Sequence, residues 1–213
     1  PEVMNPLLKF FAEFVRNKSQ RINFGESSAN GILLFREASA LVCAYGSKLL
    51  QMPISEDSKE VYKTRYKGIG LALDIVSACL IGSYVNYGVF ELYQDPALSN
   101  VLMISLKMML SIPLGEAMAY PKTTRSYFAF IEVLFRNQLE TIVKLPTGTF
   151  LRMIEALREG MLSLDNTITV YCASTIDHLA SYQFRVARRN KPEAVALTQH
   201  LASCPNIFSE FLT

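Results

Sequence analysis

The chain has 213 residues, of which 50% are hydrophobic and 19% charged, and its formal net charge is +2. A chain of this length buries a sizeable core without disulfides or a structural metal. Its basic residues are scattered among acidic ones, so nothing in the charge pattern indicates nucleic-acid binding. The apolar excess indicates a large buried interior.

Two apolar stretches, 75–90 and 101–115, resemble membrane spans but are interrupted by polar residues such as Asn86 and Lys107. A charge at bilayer depth is costly, and a span needs about 18 apolar residues. No basic region followed by a small-residue cleavage site marks a signal peptide. We therefore expect a soluble intracellular protein that does not insert into a membrane.

Four cysteines, Cys43, Cys79, Cys172 and Cys204, lie far apart and form no CxxC pair. This spacing does not fit a zinc site, and it favours reduced thiols that pack as small apolar groups. The first residue, Pro1, and an apolar end at 207–212 suggest a piece excised from a longer protein.

Apolar residues at helical spacing and recurrent cap signals predict about ten helices. They are expected from Asn5 and Pro6 to near residue 17, from Asn30 to 51, from 59 to 81, from Asp95 and Pro96 to 110, from Pro121, after Pro146, after Asp165 or Asn166, from Pro192 to 203, and from Pro205. The third has a predicted inner face of Tyr62, Tyr66, Ile69, Leu73, Val76 and Leu80. No segment alternates like a half-buried strand.

The stretch 82–93, GSYVNYGVFELY, lies between two long helical segments and has the period of neither. Gly82, Asn86 and Gly88 permit a bent connection. Its apolar residues are expected to anchor that connection: Tyr84, Val85, Tyr87, Phe90, Leu92 and Tyr93. We predict a short packed helix or turn that sets the angle between two helical hairpins.

Short connections make sequential helices antiparallel, and hairpins every 40 or so residues are typical of armadillo and HEAT arrays. We predict an all-α fold, a right-handed α-solenoid of HEAT-like antiparallel hairpins, in which residues 1–213 form a single segment of about five hairpins. A globular helical bundle is the alternative.

No candidate chemistry is strong. Gly68-Ile69-Gly70 is a lone GxG on a helical segment, whereas nucleotide binding needs a strand, a tight turn and a helix N-terminus. Asp177 and His178 are adjacent, so on a helix they point about 100° apart and cannot orient each other. His200 has no partner at ligand spacing. We expect no catalytic, cofactor or metal residues.

Two charged groups remain. Arg152, Glu155, Arg158 and Glu159 have helical spacing and indicate a solvated face. Arg185, Arg188, Arg189 and Lys191 form a compact basic run at a helix C-terminus. The run either complements the helix dipole or forms a contact site for an acidic partner.

Several motifs together resemble the exportin-7 family of nuclear transport receptors, within the importin-β superfamily. They are NPLLKFFAEFVRNKSQR (5–21), SSANGILLFREAS (27–39), KGI (67–69), GSYVNYGVFELY (82–93), LSIP (110–113), YPK (120–122), SYFAFIEVL (126–134) and IDHLASY (176–182). The part from residue 188 onward is the least similar. The resemblance implies a segment near the C-terminal end of such a receptor.

The resemblance further implies a curved solenoid of HEAT hairpins, which is not an enzyme and needs no cofactor. Its expected partners are Ran-GTP, folded protein cargo and phenylalanine-glycine nucleoporins, and its expected location is the nucleus, the cytoplasm and the nuclear pore. No single contact residue carries over from the family. The alternative is a helical-repeat scaffold, or a globular helical enzyme domain with no recognisable active site.

Overall fold

A computed structural model describes residues 2–16, 28–54, 58–82, 85–187 and 192–204. All regular structure in these ranges is helical, which confirms the all-α prediction. The chain divides into two compact units, Pro1–Tyr127 and Phe128–Thr213. The α-helices are α1 (Met4–Arg16), α2 (Ala29–Gln51), α3 (Ser58–Val61), α4 (Lys67–Ile81), α5 (Gly88–Leu92), α6 (Ala97–Leu110), α7 (Leu114–Ala119), α8 (Pro121–Asn137), α9 (Leu139–Ile142), α10 (Thr147–Met161), α11 (Asn166–Ala187) and α12 (Pro192–Ala202).

In the first unit α4 is central and packs against α1, α2 and α6, while α2 also packs against α6. Ten of the fifteen residues of α4 are buried. The predicted inner face is confirmed for most of its length: Tyr66, Ile69, Leu73, Val76 and Leu80 are all buried. A helix that is apolar nearly all round needs neighbours on several sides, and α4 has them.

Close packing at Gly68 holds α2 against α4. A Cβ atom built at Gly68 would lie 1.8 Å from the Tyr45 hydroxyl oxygen, so only glycine fits beneath that ring. The Tyr45 hydroxyl is itself buried without a hydrogen-bond partner.

Cap residues in the sequence predicted some helix starts correctly and others incorrectly. The Asp95 carboxylate accepts a hydrogen bond from the Ala97 amide at 2.9 Å, as expected for the start of α6. The start predicted at Asn30 is wrong, because the Ser28 hydroxyl accepts from the Gly31 amide at 3.1 Å and caps α2. Asn5 is not a cap either, because it lies inside α1 and its side-chain amide donates to the Lys63 carbonyl.

The third predicted helix contains an irregularity that periodicity does not show. Between α3 and α4 the chain forms a π-helical turn, Tyr62–Tyr66. It places Arg65, which is buried, at the C-terminal end of α2, where the guanidinium donates to the Leu49 carbonyl at 3.2 Å. The cation thus complements the negative end of the α2 dipole.

In the described part of the stretch 82–93, the chain bends at Gly82 and at Val85, and α5 follows. Val85 and Phe90 are buried, and the centre of the Phe90 ring lies 5.0 Å from the centre of the Phe35 ring of α2. The predicted apolar anchor is therefore confirmed for these two residues of the stretch. It is wrong for Leu92 and Tyr93, which are both 75% exposed: Leu92 lies about 200° around the helix from the buried Phe90, and Tyr93 follows the last residue of α5. Tyr84 lies outside the described residues.

The second unit is built from the latter part of α8 and from α9 to α12. Helix α10 packs against α11, and α12 packs against both. Its largest buried side chains are phenylalanines: Phe128, Phe130, Phe135 and Phe150. The Asp165 carboxylate accepts from the Thr167 amide at 3.0 Å and caps α11 as predicted. Short helices α7 and α9 were not predicted.

Within the described ranges, no helix is long and apolar enough to span a membrane.

Candidate partner-binding surface

The basic run predicted from the sequence lies at the C-terminal end of α11, and the structure describes one of its four members. Arg185 is exposed in the last turn of α11, and its Nε donates to the Ser181 carbonyl at 3.3 Å. Arg188, Arg189 and Lys191 lie outside the described residues. The structure therefore places the run's first residue on the surface and leaves its use as a contact site a prediction.

Tyr182 supports the Arg185 side chain. The guanidinium carbon of Arg185 lies 6.0 Å from the centre of the Tyr182 ring, within the range of a cation–π contact. Burial raises the pKa of Tyr182, and Glu140 and Glu193 raise it further, whereas Arg185 lowers it. Acidic groups thus accompany Arg185 at this end of the helix, so the described part of the surface has mixed charge.

One apolar residue at this surface did not stand out in the sequence. Phe184 is 63% exposed and lies next to the exposed Arg185 on α11. Exposed aromatic and arginine side chains are enriched in protein interfaces. Phe184 and Arg185 together therefore have the composition of a protein interface.

The exposed charged face of α10 matches its prediction. Arg152, Glu155, Arg158 and Glu159 are all exposed. Arg158 pairs with Glu155 at 3.4 Å, three residues apart on the helix. Such exposed pairs contribute only about 0.3–0.5 kcal/mol to stability. Because all four side chains are exposed, this face is a solvated surface.

A polar cluster joins α8 and α11 around the buried Glu132. Its Oε1 accepts a hydrogen bond from the Ser174 hydroxyl at 3.0 Å and pairs with Arg136 at 2.5 Å. His178 approaches through Nε2, which lies 3.6 Å from Glu132 Oε1 and 3.4 Å from the Ser174 hydroxyl oxygen. The sequence pointed to Asp177 as the neighbour of His178, but Asp177 is exposed.

The geometry of this cluster does not suit nucleophilic catalysis. In a catalytic triad the carboxylate orients one imidazole nitrogen while the other takes the proton of the nucleophile. Here Glu132 and Ser174 both approach the same nitrogen of His178. The Arg136 guanidinium compensates the charge of Glu132, so we interpret the cluster as a structural network that joins α8 and α11.

His200 has a structural role that the sequence did not reveal. The buried ring bonds the Thr147 hydroxyl through Nδ1 at 3.0 Å and the Val143 carbonyl through Nε2 at 2.9 Å. It also stacks on Phe150, with ring centres 4.6 Å apart. These contacts hold α12 to the start of α10, and no sequence spacing could signal partners more than 50 residues away.

Gly68 and Gly70 lie inside α4, so they do not form a phosphate-binding turn. Groups of three or more His, Cys, Asp or Glu side chains able to hold a metal do not occur in the described part of the chain. Cys79 and Cys172 are buried, as expected for thiols that pack as apolar groups, and burial raises the pKa of Cys172 to about 12.

Comparison with known proteins gives consistent relatives. The chain is 39% identical to Exportin-7-B of Xenopus laevis over 191 residues, which are 89% of this chain and 17% of the relative. It is 36% identical to Ran-binding protein 17 of Homo sapiens over 193 residues, 90% of this chain and 18% of the relative. It is 32% identical to Exportin-7 of Dictyostelium discoideum over 213 residues, 100% of this chain and 21% of the relative.

No protein-family model matches the chain, and no solved structure matches it either. The chain spans about a fifth of the length of the curated relatives named above. Their names describe exportins and Ran-binding proteins. Because these relatives align with 89–100% of its residues, the chain belongs to the exportin-7 family and corresponds to a segment of it.

Proposed function

We propose that this chain is part of a nuclear transport receptor that binds Ran-GTP and folded protein cargo and carries the cargo through the nuclear pore. The observation that carries the proposal is similarity to Exportin-7-B over 89% of the chain, at 39% identity. The all-helical fold supports it, since an array of helical hairpins provides a broad surface without an enclosed catalytic site.

The proposed architecture is a right-handed α-solenoid in which residues 1–213 supply about five HEAT-like antiparallel hairpins. Packing inside each unit supports a layered helical arrangement, because α2, α4 and α6 pack on one another and so do α10, α11 and α12. This segment would contribute curvature and part of the surface that meets cargo or Ran.

The proposed partners beyond Ran-GTP and cargo are phenylalanine-glycine nucleoporins, which would insert into grooves between helices. The protein would then be found in the nucleus, in the cytoplasm and at the nuclear pore. Neither nucleic acid nor a membrane is among its proposed partners. The small net charge of +2 supports the first exclusion.

The C-terminal end of α11 is the proposed contact for an acidic partner, through Arg185, Arg188, Arg189 and Lys191. Arg185→Glu reverses a charge at an exposed position of this surface. Arg152→Glu, on the solvated face of α10, is the matched control. We expect Arg185→Glu to weaken capture of an acidic partner several-fold and Arg152→Glu to leave it unchanged.

The test uses the immobilised full-length protein and a cell lysate. Ran loaded with a hydrolysis-resistant GTP analogue is added to one sample and Ran-GDP to the other, and captured proteins are identified by mass spectrometry. The proposal predicts a set of proteins retained only with the GTP form. Identical retention in both samples would count against a Ran-dependent receptor.

A further inference from the structure

Helix α1 carries an apolar face that is wider than its contacts inside the structure require. At 100° per residue, the polar positions Glu2, Lys9, Glu13 and Arg16 share one side of the helix. The apolar residues occupy the remaining arc, which is about 200° wide. They are Val3, Met4, Leu7, Leu8, Phe10, Phe11, Ala12, Phe14 and Val15.

Only one edge of that arc is buried. Leu8, Ala12 and Val15 are buried where α1 packs on α4. The opposite edge is the outer stripe, formed by Val3, Leu7, Phe10 and Phe14. These side chains are 78%, 37%, 62% and 38% exposed respectively. Val3 belongs to the same helical path because its carbonyl accepts from the Leu7 amide at 3.3 Å.

The outer stripe has the form of a helix-packing seam. Its residues are spaced four, three and four apart, the pattern by which one helix presents side chains to another. The Phe10 and Phe14 rings are nearly parallel, with centres 5.8 Å apart and an interplanar angle of 11°. Phe11 meets Phe10 edge-on, with centres 5.7 Å apart. The rings thus form an ordered ridge, and such aromatic side chains bury about 150–250 Å² each.

The character of the stripe indicates what covers it. In stacked helical arrays each layer touches only its neighbours, and a layer that ends the array needs a polar outer face. The outer stripe is apolar, so α1 does not have the face of an end layer. The relatives are about five times longer than the matched region, which leaves ample chain for another layer.

We propose that the outer stripe of α1 packs against a helix of a further amphipathic hairpin from the same polypeptide. This inference rests on the solenoid part of the proposed function and assigns the residues that carry one layer-to-layer interface. The occupant presents aliphatic residues at four-three spacing to the Phe10 and Phe14 ridge. Glu13, on the polar side of α1, pairs with Arg16 of the same helix at 2.7 Å.

The test compares thiol reactivity in the 213-residue chain and in the full-length protein. Phe10→Cys places a thiol on the outer stripe, and Lys9→Cys places a matched thiol on the polar side of α1, where Lys9 is exposed. Each variant is treated with a maleimide, and labelling of the peptide that contains the new cysteine is followed by mass spectrometry. Native cysteines therefore do not disturb the readout.

We expect the thiol at position 10 to react at least tenfold more slowly in the full-length protein than in the 213-residue chain. The thiol at position 9 should react at similar rates in both. Equal rates at position 10 in the two proteins would overturn the proposal. Protection in the 213-residue chain that grows with its concentration would overturn it too, in favour of self-association through α1.

A second variant separates this inference from receptor function. Phe10→Glu should lower the melting temperature of the full-length protein and leave that of the 213-residue chain nearly unchanged, since Phe10 is exposed there. A full-length Phe10→Cys protein that still binds Ran-GTP but shows no protection refutes the interface alone. Protection without Ran-GTP binding refutes the receptor proposal alone.

Discussion

Leu106→Asp tests the placement of α6 in the interior of the first unit. Leu106 is 4% exposed, and its helix packs against both α2 and α4. Losing its burial costs about 1.5–3 kcal/mol. A polar group left in an apolar site without a hydrogen-bond partner costs roughly 2 kcal/mol more. The sum is about 4 kcal/mol or more, a large part of the total stability of a domain.

Thermal and urea unfolding followed by circular dichroism measure this loss. At about 2–4 °C per kcal/mol, the melting temperature should fall by roughly 10 °C. Met103→Asp is the matched control, because Met103 lies three residues earlier on α6 and is 48% exposed. It should change stability by less than about 1 kcal/mol.

Leu106→Asn separates the contribution of charge from that of polarity. It removes the same apolar contacts but carries no ionised group, so it should be destabilising by less than Leu106→Asp. A Leu106→Asp protein whose melting temperature equals that of Met103→Asp would refute the burial of this face of α6. It would also refute the packing of α6 between α2 and α4.

Single substitutions at Gly68, Asp74 and Gln94 test the packing, the electrostatics and the backbone of the first unit. Gly68→Ala should lower the free energy of unfolding, measured by urea titration, by about 1–3 kcal/mol. Adding Tyr45→Phe should recover part of this loss, because a Cβ atom at position 68 meets the Tyr45 hydroxyl first. Fully additive effects of the two substitutions would contradict the contact. Burial raises the pKa of Asp74, so its stabilising contribution is complete below the unfolded pKa of about 3.9 and is lost as pH rises through the folded pKa. As pH rises through the folded pKa, the stability of Asp74→Asn relative to wild type should therefore increase. Stability-versus-pH curves that run parallel for the two proteins would contradict this prediction. Gln94 has φ 54, a left-handed conformation that costs a side-chain-bearing residue about 1 kcal/mol, so Gln94→Gly should raise the melting temperature slightly, and a fall would refute strain there.

Sequence patterns predicted the helices best where apolar periodicity is long and a cap is unambiguous. The start of α6 at Asp95 and Pro96 is such a case, because carboxylate and proline leave little choice of first residue. At α2, Ser28 and Asn30 are both good cap residues, and in the structure the Ser28 hydroxyl is the cap. Such competition between neighbouring caps moves a helix boundary by one or two residues.

Other features depend on contacts that are remote in sequence. The π-helical turn at Tyr62–Tyr66 serves to bring Arg65 to the end of α2, and periodicity within 59–81 contains no trace of it. The exposure of Leu92 and Tyr93 depends on which side of α5 packs against α2, the side that carries Phe90, rather than on their own apolar character. Apolar composition alone therefore predicted too large an anchor for the stretch 82–93.

The candidate surface was only partly predictable. The basic run at the end of α11 follows from local sequence, and Arg185 is exposed as a contact residue must be. The mixed charge around it arises from Glu140 and Glu193, which lie on α9 and α12 and reach Tyr182 only through the fold. The role of His200 likewise depends on residues of other elements.

The most direct test of receptor function is the affinity of the full-length protein for Ran in its two nucleotide states. Isothermal titration with purified Ran, loaded with a hydrolysis-resistant GTP analogue or with GDP, gives both dissociation constants. A Ran-dependent receptor should bind the GTP form at least tenfold more tightly, a difference of about 1.4 kcal/mol. Equal affinities, or no binding of the GTP form, would contradict the proposed receptor function.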